Sequence, residues 1–120
     1  MGKKLNRYII TFLIVFFIIL IFTGVDYLIH SLKAEYSVPG YYFRNKIIFG
    51  TIIGFIAYIL LRKEKIFIRA LMFSLIISIL LQIRYFLEGY SLEFVLEFLV
   101  FHFLILFVVS WIIFRFFDNR

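Results

Sequence analysis

The chain has 120 residues, 65% of them hydrophobic, with 18 Phe, one Pro, no Cys and a formal charge of +6. A soluble domain is about 45–50% apolar, so these proportions exclude an ordinary soluble globular protein. The missing Cys excludes disulfides and thiolate metal sites. The basic residues are not gathered on one soluble face, so no nucleic-acid partner is expected.

A membrane-spanning helix needs about 20 mostly apolar residues. The first predicted helix covers 8–30, and Tyr8 to Val25 carries no charge. Met1 to Gly24 imitates a secretory signal, but its apolar run of about 18 residues exceeds the usual h-region of about 7–15. Phe22-Thr23-Gly24-Val25-Asp26 also lacks a small-x-small cleavage pattern. A retained helix is therefore expected. The start Met-Gly-Lys-Lys-Leu-Asn lacks the Ser or Thr of a myristoylation site.

The second predicted helix covers 39–61. Its uninterrupted apolar part, Ile47 to Leu61, is only about 21 Å long at about 1.5 Å per residue. It must begin near Pro39, which suits a first helical turn, and Arg44, Asn45 and Lys46 then enter the span. The third predicted helix covers 66–88 and the fourth 91–117, with Ser91 the expected N-cap and Glu93 in the first turn. Arg62-Lys63-Glu64-Lys65 and Glu88-Gly89-Tyr90-Ser91 make tight turns, and Ser31 to Val38 is the one longer loop. The reading is an all-α, four-helix transmembrane bundle with short loops, a single integral membrane domain over 1–120.

Basic residues mark the cytoplasmic side of a membrane protein. With the N-terminus inside, the inner ends carry Lys3, Lys4, Arg7, Arg62, Lys63, Lys65, Arg69, Arg115 and Arg120. The outer ends carry Lys33, Arg44, Lys46 and Arg84. That bias places both termini in the cytoplasm, in a plasma membrane, and sets the turn Arg62 to Lys65 against anionic lipid headgroups. The acids run the other way: Asp26, Glu35, Glu88, Glu93 and Glu97 fall outside, and only Glu64 and Asp118 inside. Six of the eight Tyr are also outer, as an interfacial aromatic belt would be.

Depth singles out a polar layer. At about 1.5 Å per residue, Asp26 and Arg84 stand about 27 Å above the inner end, Lys46 and His102 about 22 Å, and Glu97 about 30 Å. All four helices thus bring ionisable groups to the outer third of a core about 30 Å thick. Opposite charges at that depth pair with one another or line a cavity. Asp26, His30, Lys46, Arg84, Glu97 and His102 are the expected ligand- or ion-binding pocket.

Helical spacing orients these groups. Lys46 shares a face with Gly50, Gly54 and Ala57, and Gly50-x-x-x-Gly54 allows close helix packing. Lys46 should then point into protein, with Asp26 its first expected partner and Glu97 the second, while Arg44, about 160° away, faces outward. Asp26 and His30 lie i, i+4 on one face and His102 can join them, which makes Asp26, His30 and His102 the candidate metal ligands. A divalent metal at these residues is the one cofactor admitted; otherwise none is expected. Arg84 and Glu88 are placed as an interfacial i, i+4 pair. Tyr41, Tyr42, Arg44 and Asn45, after the Pro-Gly break, are the expected contacts to a headgroup or anion.

No nucleophile elbow, Gly-rich phosphate loop or H-E-x-x-H occurs, so the reading leans away from an enzyme. Three classes remain. One is binding or translocation of a small solute or ion through the charged pocket. The second is an accessory or assembly subunit of a membrane complex with structural ion pairs. The third is a small intramembrane enzyme on a lipid-type substrate. The small internal volume points to a homo-oligomer or a larger complex as the working form.

Overall fold

A computed structural model describes residues 2–117; the charges Asp118 and Arg120 lie outside the described residues. Four helices follow one another: α1 (Gly2–His30), α2 (Tyr41–Leu61), α3 (Ile66–Leu87) and α4 (Leu92–Phe117). The described residues contain no strand. All four helices are long and apolar enough to cross a membrane. The helix starts differ from expectation in two places. Helix α1 begins at Gly2 rather than 8, so Lys3, Lys4 and Arg7 ride on its first turns. Pro39 and Gly40 form the turn that leads into α2, bonding Tyr42 N–H to the Pro39 carbonyl and Phe43 N–H to that of Gly40 at 3.1 and 3.2 Å.

Short connections force consecutive helices to run antiparallel. The contacts close a ring in which α1 touches α2 and α4, and α3 touches α2 and α4. The pair α2 and α3 is the most loosely joined. The bundle measures 48 × 25 × 23 Å. One end holds the α1–α2 loop and the α3–α4 turn and is called the loop end. The other holds the N-terminus, the α2–α3 turn and the C-terminus of α4 and is called the terminal end.

The α3–α4 turn is fixed by Gly89, the one described residue with positive φ, at +89°. Its N–H bonds the Phe86 carbonyl and the Tyr90 N–H bonds that of Tyr85, both at 3.2 Å. That is the Schellman pattern, which needs a left-handed residue after the helix. The Ser91 hydroxyl then accepts the Phe94 N–H at 3.2 Å and starts α4.

Most of the interior is aliphatic and aromatic: Val15, Ile18, Ile19, Phe22, Ala70, Phe73, Ile77, Leu106 and Phe114 form one cluster. Gly54 lets α1 and α3 close on α2 there. A Cβ on Gly54 would meet Val15 Cγ1 at 2.8 Å and the Phe73 ring at 3.2 Å. Gly50 faces Ile19 in the same manner, at 3.3 Å. Nearer the loop end, Tyr42, Tyr85, Phe94, Val95 and Phe98 form a second cluster. Between the two lies a layer of buried polar side chains.

Candidate functional site

Each helix sends one face into this layer. On α4 the buried residues Phe94, Phe98, His102, Leu106, Ser110 and Phe114 recur every four positions, with His102 in the middle of the stripe. On α1, Asp26 and His30 are the last buried residues of the inward face. On α2, Lys46 continues the line of Gly50, Gly54 and Ala57 inward. On α3, Ser74, Ser78, Gln82 and Tyr85 make a buried polar stripe. The two serines bond back to the carbonyls of Ala70 and Ser74 within the helix. Gln82 Nε2 reaches across to the Val95 carbonyl of α4.

The faces meet on the bundle axis at the Lys46 ammonium. Nζ hydrogen-bonds Asp26 Oδ2 and donates to the Tyr85 hydroxyl at 2.5 Å. It lies 3.3 Å from His30 Nε2 and 3.4 Å from His102 Nε2. Asp26 Oδ1 lies 2.9 Å from His102 Nε2 and 3.3 Å from His30 Nε2. Asp26 and His102 are fully buried, Lys46 is 4% exposed and His30 3%. One buried ammonium is therefore surrounded by side chains of all three other helices.

The protons can be assigned from the partners. A carbonyl only accepts, so His30 Nδ1, 2.6 Å from the Tyr36 carbonyl, carries a hydrogen. In the neutral ring, His30 Nε2 is then a bare acceptor aimed at Lys46 and at the Tyr85 hydroxyl, 3.1 Å away. A neutral His102 donates from Nε2 to Asp26 and leaves Nδ1, a buried atom, without a hydrogen-bond partner among the described residues. With both histidines neutral the layer holds one anion and one cation, and its net charge is zero.

Aromatic rings enclose the cluster. His30 stacks on Phe98 with centroids 4.1 Å apart and planes at 4°. Phe22 meets His102 edge-on at 5.3 Å. The Lys46 ammonium stands 5.1 Å from the Tyr85 ring centre and 5.4 Å from that of Phe43. Weakly hydrated rings strengthen the electrostatics they surround.

Two openings border the cluster. A cavity of about 120 Å³ between α2 and α3 is lined by Asn45, Lys46, Arg84 and Tyr85 at its polar edge and by Phe49, Ile53, Leu80 and Leu81 below. A wider concavity at the loop end reaches His30 past Tyr27, Lys33 and Phe43. Beside it, Glu35, Glu93 and Glu97 line a third concavity with Tyr36 and Tyr90. The neighbouring Glu97 carboxylate raises the Tyr36 phenol above its usual range.

Of the six expected pocket residues, the structure brings together Asp26, His30, Lys46 and His102. The other two stand apart. Arg84 is half-buried, packs its guanidinium 4.8 Å over the Tyr42 ring and pairs with Glu88 at 3.6 Å. It borders the α2–α3 cavity but not the hydrogen-bonded cluster. Glu97 lies in the acidic concavity, because it is five residues from His102 on α4 and so points elsewhere. The expected headgroup contacts also divide. Tyr41 and Arg44 are exposed, and Asn45 borders the cavity. Tyr42 is 3% exposed, since it stacks on Tyr85 at 5.8 Å and meets Tyr90 at 6.1 Å, so it offers no surface to a headgroup.

Two residues were not anticipated. Tyr85 is by sequence one of the six outer tyrosines of the expected belt, although the spacing Ser74, Ser78, Gln82, Tyr85 marks one polar face of α3. Arg69 was counted as a basic residue of the terminal end, yet it is 1% exposed. Its guanidinium lies 5.5 Å from the centres of both the Tyr58 and Phe114 rings and donates to the Glu64 carbonyl at 3.0 Å. Comparisons with family models, curated proteins and solved structures found no match to this chain.

Proposed function

We propose that the chain is a multi-pass protein of the plasma membrane, with both termini cytoplasmic, that binds and translocates a small solute or ion through the Lys46–Asp26 site. The ion that fits best is a small cation. The orientation follows the basic residues: Lys3, Lys4, Arg7, Arg62, Lys63, Lys65, Arg69 and Arg115 belong to the terminal end, against Lys33, Arg44, Lys46 and Arg84 toward the loop end. The basic turn Arg62 to Lys65 then meets anionic headgroups of the inner leaflet.

One observation carries the functional reading: a buried ammonium bound by groups of α1 and α3, with His102 of α4 bonded to the same carboxylate. Removing charges from water costs several kcal/mol per ion, about what their pairing returns, and apolar side chains of like volume often serve stability as well or better. Ionisable groups at membrane depth mark pathways and relays. The Lys46 ammonium already occupies a position lined by carboxylate, phenol and imidazole, the surroundings a small cation requires. Three carboxylates at the loop end add an attracting mouth. In this mechanism the cargo displaces Lys46 from Asp26, with His102 and Asp26 able to take up a proton. Passage toward the terminal end opens the α2–α3 seam, the loosest of the four.

The test is tracer uptake into proteoliposomes for a panel of Na+, K+, methylammonium and Zn2+, with Asp26→Asn and Lys46→Met beside wild type. Uptake of at least one cation above protein-free vesicles, lost in both variants, is expected. Uptake equal to protein-free vesicles across the panel contradicts the reading.

A further inference from the structure

We propose that the buried cluster is a site for a divalent transition metal of the zinc or cobalt class, and that the metal and the Lys46 ammonium compete for one position. This assignment rests on the cation-site reading and names its cargo. Its ligands are Asp26, His30 and His102, with the Tyr85 hydroxyl at the same position.

The geometry matches such an ion. One ligand atom from each of Asp26, His30 and His102 lies within 4.8 Å of the others, and all three residues are buried. Donors about 2.0–2.1 Å from a tetrahedral ion stand about 3.3 Å apart. The Asp26–His30 and Asp26–His102 separations are 3.3 and 2.9 Å. Two imidazoles and a carboxylate select zinc-like ions over the hard cations that prefer all-oxygen sites.

A second observation points the same way. Metal-binding histidines are held by a hydrogen bond from the other ring nitrogen. His30 has that bond, from Nδ1 to the Tyr36 carbonyl at 2.6 Å, which turns the Nε2 lone pair into the cluster. His102 lacks that bond, since its Nδ1 has no partner among the described residues, and its proton must move from Nε2 to Nδ1 for Nε2 to bind a metal. Lys46 borders the α2–α3 cavity, which gives its chain room to turn aside. Tyr36 joins the site to the acidic mouth, since its carbonyl holds His30 and its side chain lines the concavity with Glu97.

Competition makes an unusual prediction: removing a residue of the cluster strengthens binding. The full-length protein, purified in detergent without a histidine tag, is titrated with Zn2+ and with Co2+, whose visible spectrum reports tetrahedral nitrogen and oxygen ligation. Lys46→Met is expected to bind about tenfold or more tightly than wild type, and His30→Ala and His102→Ala to lose about tenfold or more. Zn2+ should also raise the unfolding midpoint of Lys46→Met more than that of wild type. If Lys46→Met fails to fold, Lys46→Gln keeps a hydrogen-bond donor for Asp26 and serves instead. Equal affinity of the lysine variant and wild type overturns the assignment, as does full binding in either histidine variant. Failure to bind either metal while Na+, K+ or methylammonium uptake persists would remove the metal and leave the cation site standing. Failure of both would remove the cation site too.

Discussion

The bundle buries a cation near each end, and the two are held differently. Arg69 sits among a backbone carbonyl and aromatic rings: the Glu64 carbonyl of the adjoining turn, the Tyr58 ring at the end of α2, and the Phe114 ring of α4. Arginine keeps its charge in proteins. Lys46 is instead met by the side chains of Asp26, His30, Tyr85 and His102, a carboxylate, two imidazoles and a phenol. Most of those partners can gain or lose a proton. The first arrangement fastens a corner of the fold. The second gathers ionisable groups from all four helices around one ammonium, and the proposed exchange site rests on that arrangement.

The largest effect should come from splitting the Lys46 pair. Asp26→Asn or Lys46→Met alone leaves a buried charge unmatched and should destabilise the protein by about 3–5 kcal/mol. Denaturant unfolding of the purified bundle measures this. The double variant should recover much of that loss, because neither charge remains. Arg69→Met removes, among its contacts, the bonds to the Glu64 carbonyl and the Tyr58 hydroxyl and two ring contacts, and should cost about 1–3 kcal/mol. Tracer uptake per folded molecule should be unchanged by it. If Arg69→Met abolished uptake in a folded protein, the distinction between the two cations would fail.

Two smaller effects sharpen the comparison. Gly54→Ala sets a Cβ against Val15 and Phe73, and should cost about 1–3 kcal/mol by overpacking. Its thermal midpoint should fall while the Lys46 cluster, two helical turns away, keeps its metal affinity. Arg84→Ala breaks a pair that is 35% and 41% exposed, so only about 0–1 kcal/mol is expected. A large loss from Arg84→Ala would place that residue in the site after all.

Most of the fold was legible in the sequence because apolar length and charged turns leave few alternatives for a chain this hydrophobic. Helical spacing also placed Lys46 on the face of Gly50, Gly54 and Ala57, and Asp26 beside His30. What spacing along one helix cannot give is rotation relative to another. Glu97 reached the right depth and the wrong direction. Tyr42 and Tyr85 belonged by composition to an interfacial belt, yet they stack on each other inside the bundle. Arg69 was hidden for the same reason, since a basic residue near a helix end reads as interfacial until its neighbours are known. Spacing and depth named Asp26, His30 and His102 as metal candidates and Lys46 as the partner of Asp26, but not the Tyr85 hydroxyl that meets the same ammonium.

The most direct measurement is cation uptake by proteoliposomes carrying the Asp26→Asn/Lys46→Met double variant, once its unfolding shows that the bundle has recovered. The account predicts a stable protein whose uptake falls to that of empty vesicles. Uptake at the wild-type rate in the charge-free bundle would contradict it, and would make the Lys46–Asp26 pair a fastener like Arg69.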